Sequence, residues 1–509
     1  MHWAMRAATI CTCLAAIVTV SGCGGESSSS AVPLAVSPSS SSSLSSSSST
    51  PTYQIGGTVS GLTGDGLVLA LNGGQSLAVG AGGNFVFPQG VASGTSYTVT
   101  VSTQPNVRRE LCVVNTGSGV VGTANVTAIQ VNCSAVIGFL YVVADSNIAA
   151  TGTQLFSFGI APGNGTLVPF GTPLNVGSDS DSVQLARSPN GQFLYAGNWT
   201  DATITVFAVD SNYGTVSAIG PPVATGFAPI SMVMASSGYL FVWGGAPAAP
   251  TASPVVPSVS EYAADPTTGA LTPVGTPIPE TSGGGVLLTA SADGTFLYTD
   301  VVTTQLGSAG AVSQTSLVTP YRIDPASGSL SAGPSKTFSD PMGSLLVGPN
   351  DQTLYLADNA ATTPEQAAAT LVTYGIDSSS GALTSQKGSP LSLDSNGGGL
   401  VLDSTGQYLY VVDNFNFTPE DDAVQTLSIN AATGLPSASI APLVVTGSPT
   451  QLLIDPSGQF AFLLSQARTL NGPDYLSTFT FGSAGQLIPA GSPQAIGSPA
   501  YGGAIAIIE

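Results

Sequence analysis

The sequence predicts an all-β protein in which a small β-sandwich precedes a seven-bladed β-propeller. Three observations predict this class. Glycine and proline are abundant, at 62 and 36 of 509 residues, as expected of short strands joined by tight turns. Short runs alternate apolar and polar residues, which is the period of a β-strand. From residue 135 onward one pattern returns seven times, in repeats of about 50 residues.

The first 22 residues are predicted to be an export signal. Arg6 precedes an apolar stretch over residues 7–20 that is too short to span a bilayer. The run Val20-Ser21-Gly22-Cys23 then resembles the bacterial lipobox. This resemblance implies that Cys23 carries lipid and anchors the protein to a membrane. Because Gly24 and not Asp follows the cysteine, it further implies the outer membrane if the source is Gram-negative.

Two segments separate this anchor from the repeats. Residues 23–52 are dominated by serine, are too poor in apolar groups to fold, and are predicted to be a flexible tether. Residues 53–134 show alternating runs between Gly-rich turns, which predict a small β-sandwich. This stretch resembles the Ig-like or prealbumin-like modules that serve as spacers in surface lipoproteins.

Besides Cys23, only Cys112 and Cys133 remain once the signal is removed. In an oxidising compartment we expect them to form a structural disulfide. A metal site is disfavoured because no histidine or further cysteine is left to complete a coordination sphere.

Two markers keep the same spacing through residues 135–509. The first is an aromatic or apolar strand after a turn, which begins at Phe139, Phe193, Tyr239, Phe296, Thr353, Tyr408 and Phe460. The second is a glycine that opens a short strand, at Gly165, Gly214, Gly269, Gly328, Gly381, Gly434 and Gly485. A four-stranded sheet cannot bury both faces until neighbours stack on it, so such repeats predict propeller blades.

One repeat gives the strand order of a blade. Residues 183–187 are predicted as the inner strand, 193–197 as the second, 204–209 as the third and 214–219 as the outer. The first repeat begins at its second strand and lacks an inner one. The apolar run over residues 504–508 can supply it, which closes the ring, removes its open edge and gives seven blades.

The charge of the chain restricts its partners. Eight lysines and arginines oppose 28 carboxylates, for a net charge of −20. No basic patch is available to contact phosphates, which excludes nucleic acid as a partner. The acidity is explained by the need to keep a surface poor in charge soluble, and a specific cationic ligand is the alternative explanation.

The repeat motifs resemble those of a known family. They read Ser-Pro-Asn-Gly-Gln-Phe-Leu-Tyr at 188–195, Asp-Pro-Ser-Gly-Gln-Phe-Ala-Phe at 455–462 and Ile-Asp-Pro-Ala-Ser-Gly at 323–328. This pattern is similar to that of the seven-bladed lactonases, which include propeller-type 6-phosphogluconolactonases and carboxymuconate cyclases. The resemblance implies catalysis by histidine, arginine and glutamate on one face of the ring. Here the only histidine is His2, inside the export signal, so no catalytic histidine carries over.

In a propeller, the connections after the second strands and those into the next inner strands share one face. Polar and aromatic residues at that face form a candidate ligand site of Asn198, Trp199, Trp243, Asp300, Asp358, Asp413 and Arg468, flanked by Asp145 and Ser465. An alternative reading stays open, in which the Asp and Asn side chains cap turns and the tryptophans pack under loops.

Other kinds of site are weakly supported by the sequence. Arg468 and Lys336 are the better-placed bases, whereas Arg322 lies on a third strand far from the ring axis. The acidic runs at 179–181 and 420–422 lack the spacing and glycine of an EF-hand, so we predict no metal and no cofactor. A Ser-His-Asp triad is excluded because the mature chain has no histidine.

Two hypotheses of function follow. The first is a lipid-anchored surface propeller that acts as a scaffold for a small polar or carbohydrate ligand, or for a surface protein. The alternative is a hydrolase that opens a sugar lactone with carboxylates and water. An acid, a base and a cation that converge on one face would favour the hydrolase.

Overall fold

The computed structural model describes residues 50–145, 152–177, 183–245, 256–280, 286–306, 312–358, 369–394, 398–413, 422–438, 440–467, 473–496 and 504–508. The predicted export signal, Cys23 and the serine-rich stretch up to residue 49 lie outside these ranges. Every helix or strand element within them is a β-strand, and they contain no helix able to cross a membrane. The predicted all-β class is confirmed.

Two four-stranded sheets share one core in the amino-terminal part. In spatial order the first sheet consists of Gly83–Val86, Ile55–Ser60, Val126–Ala135 and Glu110–Asn115. The second consists of Gln75–Val79, Leu67–Leu71, Ser96–Thr103 and Ser118–Val120, and two short strands, Thr52–Tyr53 and Val91–Ala92, pair with each other. Because side chains alternate along a strand, Leu67, Leu69 and Leu71 all enter the shared core.

A disulfide joins Cys112 and Cys133, which lie directly opposite each other on neighbouring antiparallel strands. The strand that carries Cys112 is the edge of its sheet. The Gln104 amide covers that edge: its Nε2 donates to the Cys112 carbonyl at 3.1 Å, and its Oε1 accepts from the Cys112 N–H at 2.9 Å. A side chain thus takes the place of a further strand at this point.

Seven antiparallel sheets follow, and each is one blade. From the inner strand outward, blade one consists of Ala504–Ile508, Gly138–Asp145, Thr153–Ile160 and Leu167–Gly177. Blade two consists of Val183–Arg187, Phe193–Asn198, Thr203–Val209 and Val216–Ala218 with Val223–Ala224. Blade three consists of Ala228–Met234, Tyr239–Gly245, Ser258–Ala264 and Leu271–Pro279.

Blades four to seven have the same order. Blade four consists of Val286–Ala290, Phe296–Leu306, Val312–Ile323 and Leu330–Ala332 with Lys336–Phe338, and blade five of Met342–Val347, Thr353–Asp358, Thr370–Ile376 and Leu383–Ser385 with Leu391–Ser392. Blade six consists of Gly399–Leu402, Tyr408–Val412, Ala423–Ile429 and Pro436–Ala438 with Leu443–Val444. Blade seven consists of Ser448–Ile454, Ala461–Gln466, Asp474–Phe481 and Leu487–Pro489 with Gln494–Ile496.

The second strand of a blade is packed on both faces. In blade two, Leu194 and Ala196 join the core that lies between blades one and two. The alternate residues Phe193 and Tyr195 join the core that blade two shares with blade three. The period of two thus sends neighbouring side chains to opposite blades. This explains why these strands are apolar throughout and carry the strongest sequence marker.

The repeated glycine locks each blade onto the one before it. Gly485 of blade seven has φ +72°, and a Cβ there would lie 2.4 Å from the Tyr408 ring of blade six. The same contact joins blades one and seven, where a Cβ on Gly165 would lie 2.5 Å from the Phe460 ring. Glycine is required twice over at these turns, by its backbone conformation and by the close aromatic ring.

This geometry corrects one detail of the strand boundaries. The sequence places the start of the outer strand of blade two at Gly214, whereas the strand is Val216–Ala218. Gly214 instead lies in the preceding turn, with φ +67°, and its N–H donates to the Asp210 carbonyl at 2.7 Å. The left-handed conformation ends the turn before the ladder begins.

The ring closes through the strand Ala504–Ile508, as predicted. This strand is antiparallel to the second strand of blade one, with Ile508 opposite Phe139 and Ala504 opposite Val143. The inner strands of the seven blades contact one another in a complete cycle, in which Ala504–Ile508 lies between those of blades seven and two. The chain therefore forms a seven-bladed ring without an open blade edge at the closure.

Candidate functional site

Three of the candidate residues, Asn198, Asp358 and Asp413, lie at one edge of the blades. The connection from the second to the third strand leaves each sheet at the same edge as the connection into the next inner strand, since the strands are antiparallel. We call this edge the site edge. Asn198 and Asp358 end their second strands there, and Asp413 directly follows one.

Asn198 is buried, and its side chain donates hydrogen bonds to the neighbouring strand of blade two. Its Nδ2 donates to Thr203 Oγ1 at 3.2 Å and to Thr205 Oγ1 at 3.1 Å, both on the third strand of blade two. Thr205 Oγ1 donates in turn to the Val176 carbonyl of blade one at 3.1 Å. Asn198 Oδ1 has no hydrogen-bond partner among the described residues. The amide therefore links two blades.

The two tryptophans differ in their surroundings. Trp199 follows Asn198 at the site edge and is half-buried. Trp243 is 5% exposed and packs in the core between blades three and four, with Val259 and Leu297. Within the described residues its indole Nε1 has no hydrogen-bond partner. Trp243 is thus a packing residue, and only Trp199 is available at the surface to stack on a ligand.

Asp300 is completely buried in blade four. Ser316 Oγ on the neighbouring third strand donates to Asp300 Oδ2 at 3.0 Å, and accepts from the Met342 N–H of blade five at 2.9 Å. Asp300 Oδ1 has no partner in the described part of the chain. Burial raises the pKa of Asp300 to about 7, against a smaller lowering by the Ser316 bond. This carboxyl is therefore able to hold a proton near neutral pH.

Asp358 closes the connection that follows its strand. The Thr370 N–H donates to Asp358 Oδ1 at 2.7 Å, and Thr370 Oγ1 donates to Oδ2 at 2.5 Å. Both carboxylate oxygens thus bind the first residue of the third strand in blade five. This arrangement matches the alternative reading of the sequence, in which such residues cap turns.

Asp413 is fully buried in blade six, and its N–H donates to the Ala423 carbonyl at 3.0 Å. Two other carboxylates are buried at the same edge, Asp422 before the third strand of blade six and Asp474 at the start of that of blade seven. Asp474 was missed from the sequence. Extending the repeat register by one strand, from the end of the second to the start of the third, would have found it.

A hydrogen-bonded pair between blades five and six was also missed from the sequence. Gln425 is fully buried, and its Nε2 donates to Asp394 Oδ2 at 3.1 Å. The Asp394 N–H donates back to Gln425 Oε1 at 3.2 Å. Asp394 belongs to the connection into blade six, so this pair fixes that connection to the third strand. No local sequence pattern marks a bond between residues so far apart.

The remaining candidates contribute less to the geometry of the edge. Ser465 is buried at the end of its strand. Arg468, the Asp145 side chain, residues 179–181, Glu420 and Asp421 lie outside the described residues. Within the described ranges no group of three or more His, Cys, Asp or Glu side chains is placed to hold a metal ion.

Two of the described bases, Lys336 and Arg322, lie on aromatic rings and not at the predicted site. The Lys336 ammonium is 4.9 Å from the centroid of the Tyr374 ring. The sequence suggested that Lys336 lies in or near a connecting loop, whereas it begins a short strand paired with the third strand of blade four. The Arg322 guanidinium is 5.8 Å from the Phe296 ring centroid and donates to the Ser379 carbonyl at 3.3 Å. Both cations are thereby engaged in packing.

Comparison with known proteins agrees with this fold. Residues 172–288 match the family model described as Lactonase, 7-bladed beta-propeller. A candidate 6-phosphogluconolactonase from Bacteroides uniformis is similar with a TM-score of 0.54 and 15% identity, over 73% of this chain and 99% of that one. The periplasmic gluconolactonase of Pseudomonas aeruginosa is similar with a TM-score of 0.52 and 18% identity, over 73% and 99%. No curated protein sequence matches the chain.

At these identities the likeness to solved structures establishes the fold and not the chemistry. The matched residues begin in the outer strand of blade one and end in the inner strand of blade four. Together with the closed ring of seven blades, they identify the fold as a seven-bladed β-propeller that is similar to the lactonase family over residues 172–288.

Proposed function

We propose that this protein is a lipid-anchored propeller of the cell envelope, and that its ring binds a small polar ligand or a partner without opening a phosphorylated lactone. One observation carries the second part of the proposal. The polar side chains predicted to converge at the site edge are buried and bonded inside their own blades, Asn198 to Thr205, Asp300 to Ser316 and Asp358 to Thr370. Groups held in this way stabilise connections and are not presented to a substrate.

Charge supports the same conclusion. A phosphorylated sugar lactone needs cations for its phosphate, and the oxyanion that forms on ring opening needs a donor. The chain has a net charge of −20, and two of its described bases, Lys336 and Arg322, lie against aromatic rings. An acidic field of this kind repels the substrate. A neutral or cationic ligand is the better match.

The lactone hydrolase remains the second candidate because of Asp300. A carboxyl with a pKa of about 7 is matched to general base catalysis near neutral pH, which an ordinary carboxylate is not. Two of the similar solved structures also carry lactonase names. Against this, Asp300 has no exposed surface from which to activate a water molecule.

A hydrolysis assay separates the two candidates. The mature chain is incubated with 6-phosphogluconolactone and with unphosphorylated gluconolactone, and acid release is followed against buffer. We expect no rate above buffer with the phosphorylated substrate. A clear rate that is lost in Asp300→Asn, Asp358→Asn, Asp413→Asn or Arg468→Ala would overturn the binding role in favour of the enzyme.

A further inference from the structure

A cavity of about 210 Å³ lies between blades two and three, at the edge opposite the site edge. Three turns line it, at residues 188–190 of blade two and at residues 236–238 and 264–266 of blade three. The Tyr195 side chain of blade two completes the wall. This cavity is separate from the residues of the proposed function, and the inference drawn from it does not rest on that function.

Tyr195 differs from the equivalent tyrosines of the other blades. Tyrosine occupies this position of the second strand in five blades, and in four of them its hydroxyl donates to the carbonyl of the turn glycine in the next blade, as Tyr141 to Gly214, Tyr298 to Gly381, Tyr355 to Gly434 and Tyr410 to Gly485. Tyr195 is equally buried, but its hydroxyl has no hydrogen-bond partner among the described residues.

The turn of blade three is nevertheless formed as in the other blades. The Gly269 N–H donates to the Asp265 carbonyl at 2.8 Å, and a Cβ on Gly269 would lie 2.5 Å from the Phe193 ring. The missing bond is thus confined to the Tyr195 hydroxyl. A buried donor without an acceptor is costly, so an acceptor supplied from the cavity would be favoured.

The two polar groups at this position have complementary roles. Backbone N–H groups of Thr268 and Thr267 hold the pKa of Asp265 below its ordinary value, so its carboxylate is charged at neutral pH. Burial, and next the Asp265 charge, raise the pKa of Tyr195 to about 12, so the phenol keeps its proton. The phenol donates and the carboxylate accepts. In four other blades the equivalent hydroxyl reaches the same turn of the next blade, so the register directs the Tyr195 hydroxyl to the turn of blade three that lines the cavity.

The rest of the lining excludes anions and offers an apolar wall. No lysine, arginine or histidine is among the lining residues. The rings of Pro189 and Pro266 form apolar surface, and Asn190 Nδ2 bridges the two blades by donating to the Pro266 carbonyl at 2.8 Å. The exposed hydroxyls of Ser236 and Ser237 add polar groups at the opening.

We propose that this cavity binds a neutral monosaccharide or sugar alcohol, with Tyr195 donating to a ligand oxygen and Asp265 accepting from a ligand hydroxyl. A polyol is the class that offers donors, acceptors and C–H faces together without negative charge. The volume exceeds what a single bridging water needs, since one water occupies about 30 Å³ in the liquid. It is also below the range of about 300–1,000 Å³ that is typical of drug-sized ligands, which favours one sugar unit.

The test is calorimetric or NMR titration of the purified mature protein with glucose, galactose, xylose and xylitol. We expect saturable binding of at least one of these probes. Tyr195→Phe should raise its Kd about five- to tenfold, by removal of one hydrogen bond. Asp265→Asn should weaken binding similarly while the turn stays intact, because Asn430 already holds the same turn in blade six by accepting from Ala432 and Thr433.

Tyr141→Phe is the matched control, since that hydroxyl bonds to Gly214 and does not face the cavity. It should leave the Kd unchanged. Absence of binding for all four probes, or equal binding by Tyr195→Phe and the wild type, contradicts the proposal. Tighter binding of gluconate than of glucose would show that the ligand class is wrong. None of these outcomes depends on the lactone assay, which reports on the other edge.

Discussion

Single residues carry the contacts from blade to blade, and Tyr410 is a clear instance. Its buried hydroxyl donates to the Gly485 carbonyl at 2.7 Å, across the boundary between blades six and seven. Blade seven has Phe462 at the equivalent position, so the ring alone fits the site. The hydroxyl therefore serves the hydrogen bond and not the packing.

We expect Tyr410→Phe to lower the free energy of unfolding by about 1–2 kcal/mol, because the Gly485 carbonyl loses a buried donor. Denaturant unfolding with unchanged slope measures this. Tyr195→Phe is the control, since it removes a hydroxyl without a partner in the described structure, and it should leave stability unchanged or raise it. Equal losses in both variants would contradict the role given to the hydrogen bond.

Asp300 should make the stability depend on pH. Its folded-state pKa of about 7 lies above its ordinary value of 3.8, so the folded state binds the proton more tightly than the unfolded state. The contribution of Asp300 to the free energy of unfolding is complete below about pH 4 and is lost as the pH rises through about 7. Asp300→Asn should therefore gain stability relative to the wild type over this window, by at most about 4 kcal/mol at pH 8.

The measurement is the difference in unfolding free energy between the two proteins from pH 4 to pH 8. Glu261 also has a pKa raised to about 7 by burial, but it contributes equally to both proteins and cancels in the difference. A difference that stays constant with pH would show that Asp300 does not titrate in this range.

For single residues, the sequence predicted the position of a side chain in its blade better than the partners that it contacts. The repeat register placed Asn198 and Asp358 at the correct edge, because strand period and blade order are local properties. It did not predict that Asp358 binds Thr370 or that Asp300 binds Ser316. The partners are 12 and 16 residues away, and the pattern within a strand says nothing about which hydroxyl meets it. Trp243 is buried for a similar reason, since the packing of the neighbouring blade decides it.

Among the elements, the strand Ala504–Ile508 closes the ring. It is the inner strand of blade one, and it also contacts the inner strands of blades two and seven. The sequence predicted this pairing because the first repeat lacked an inner strand and an apolar run was left over. The position of Gly214 in its turn was less predictable. The sequence pattern does not distinguish a glycine in the left-handed conformation from a glycine that begins a strand.

Deletion of residues 504–509 should cause aggregation or a loss of several kcal/mol in stability, because it exposes the edge of the second strand of blade one. Thermal unfolding and size-exclusion chromatography measure the outcome. A synthetic peptide of residues 504–509 added in excess should restore part of the stability if the edge is the cause. An unchanged melting curve after the deletion would argue against closure by this strand.

For the whole molecule, the predicted lipid anchor would determine where the propeller is located in the cell. The lipobox-like run before Cys23 and the serine-rich tether predict a propeller held near a membrane surface. We expect Cys23→Ala to leave the protein unprocessed or to release it from the membrane fraction, with a change in mass. Cys13→Ala, inside the same signal, is the control and should fractionate like the wild type. Membrane association of Cys23→Ala at the wild-type level would contradict the prediction.

The fold of the whole molecule could be predicted because seven repeats carry the same two sequence markers at the same spacing. A single blade is ambiguous, but seven markers at one spacing are not. Six of the seven glycines meet an aromatic ring of the preceding blade, and Gly434 meets Thr353 at the same position. The function could not be predicted to the same degree. It depends on which side chains line a cavity, and at Tyr195 one repeat lacks, within the described residues, a hydrogen bond that four others make.

Closure of the ring by Ala504–Ile508 also orders the events of biosynthesis. Chains emerge from the ribosome amino end first, at about 5–20 residues per second, so the other strands of blade one appear tens of seconds before the strand that completes them. During this interval the nascent chain presents an unpaired edge at Phe139–Val143 and no finished first blade. The ring is therefore assembled after translation of its last strand, and a chaperone that shields strand edges is most useful in the time before that.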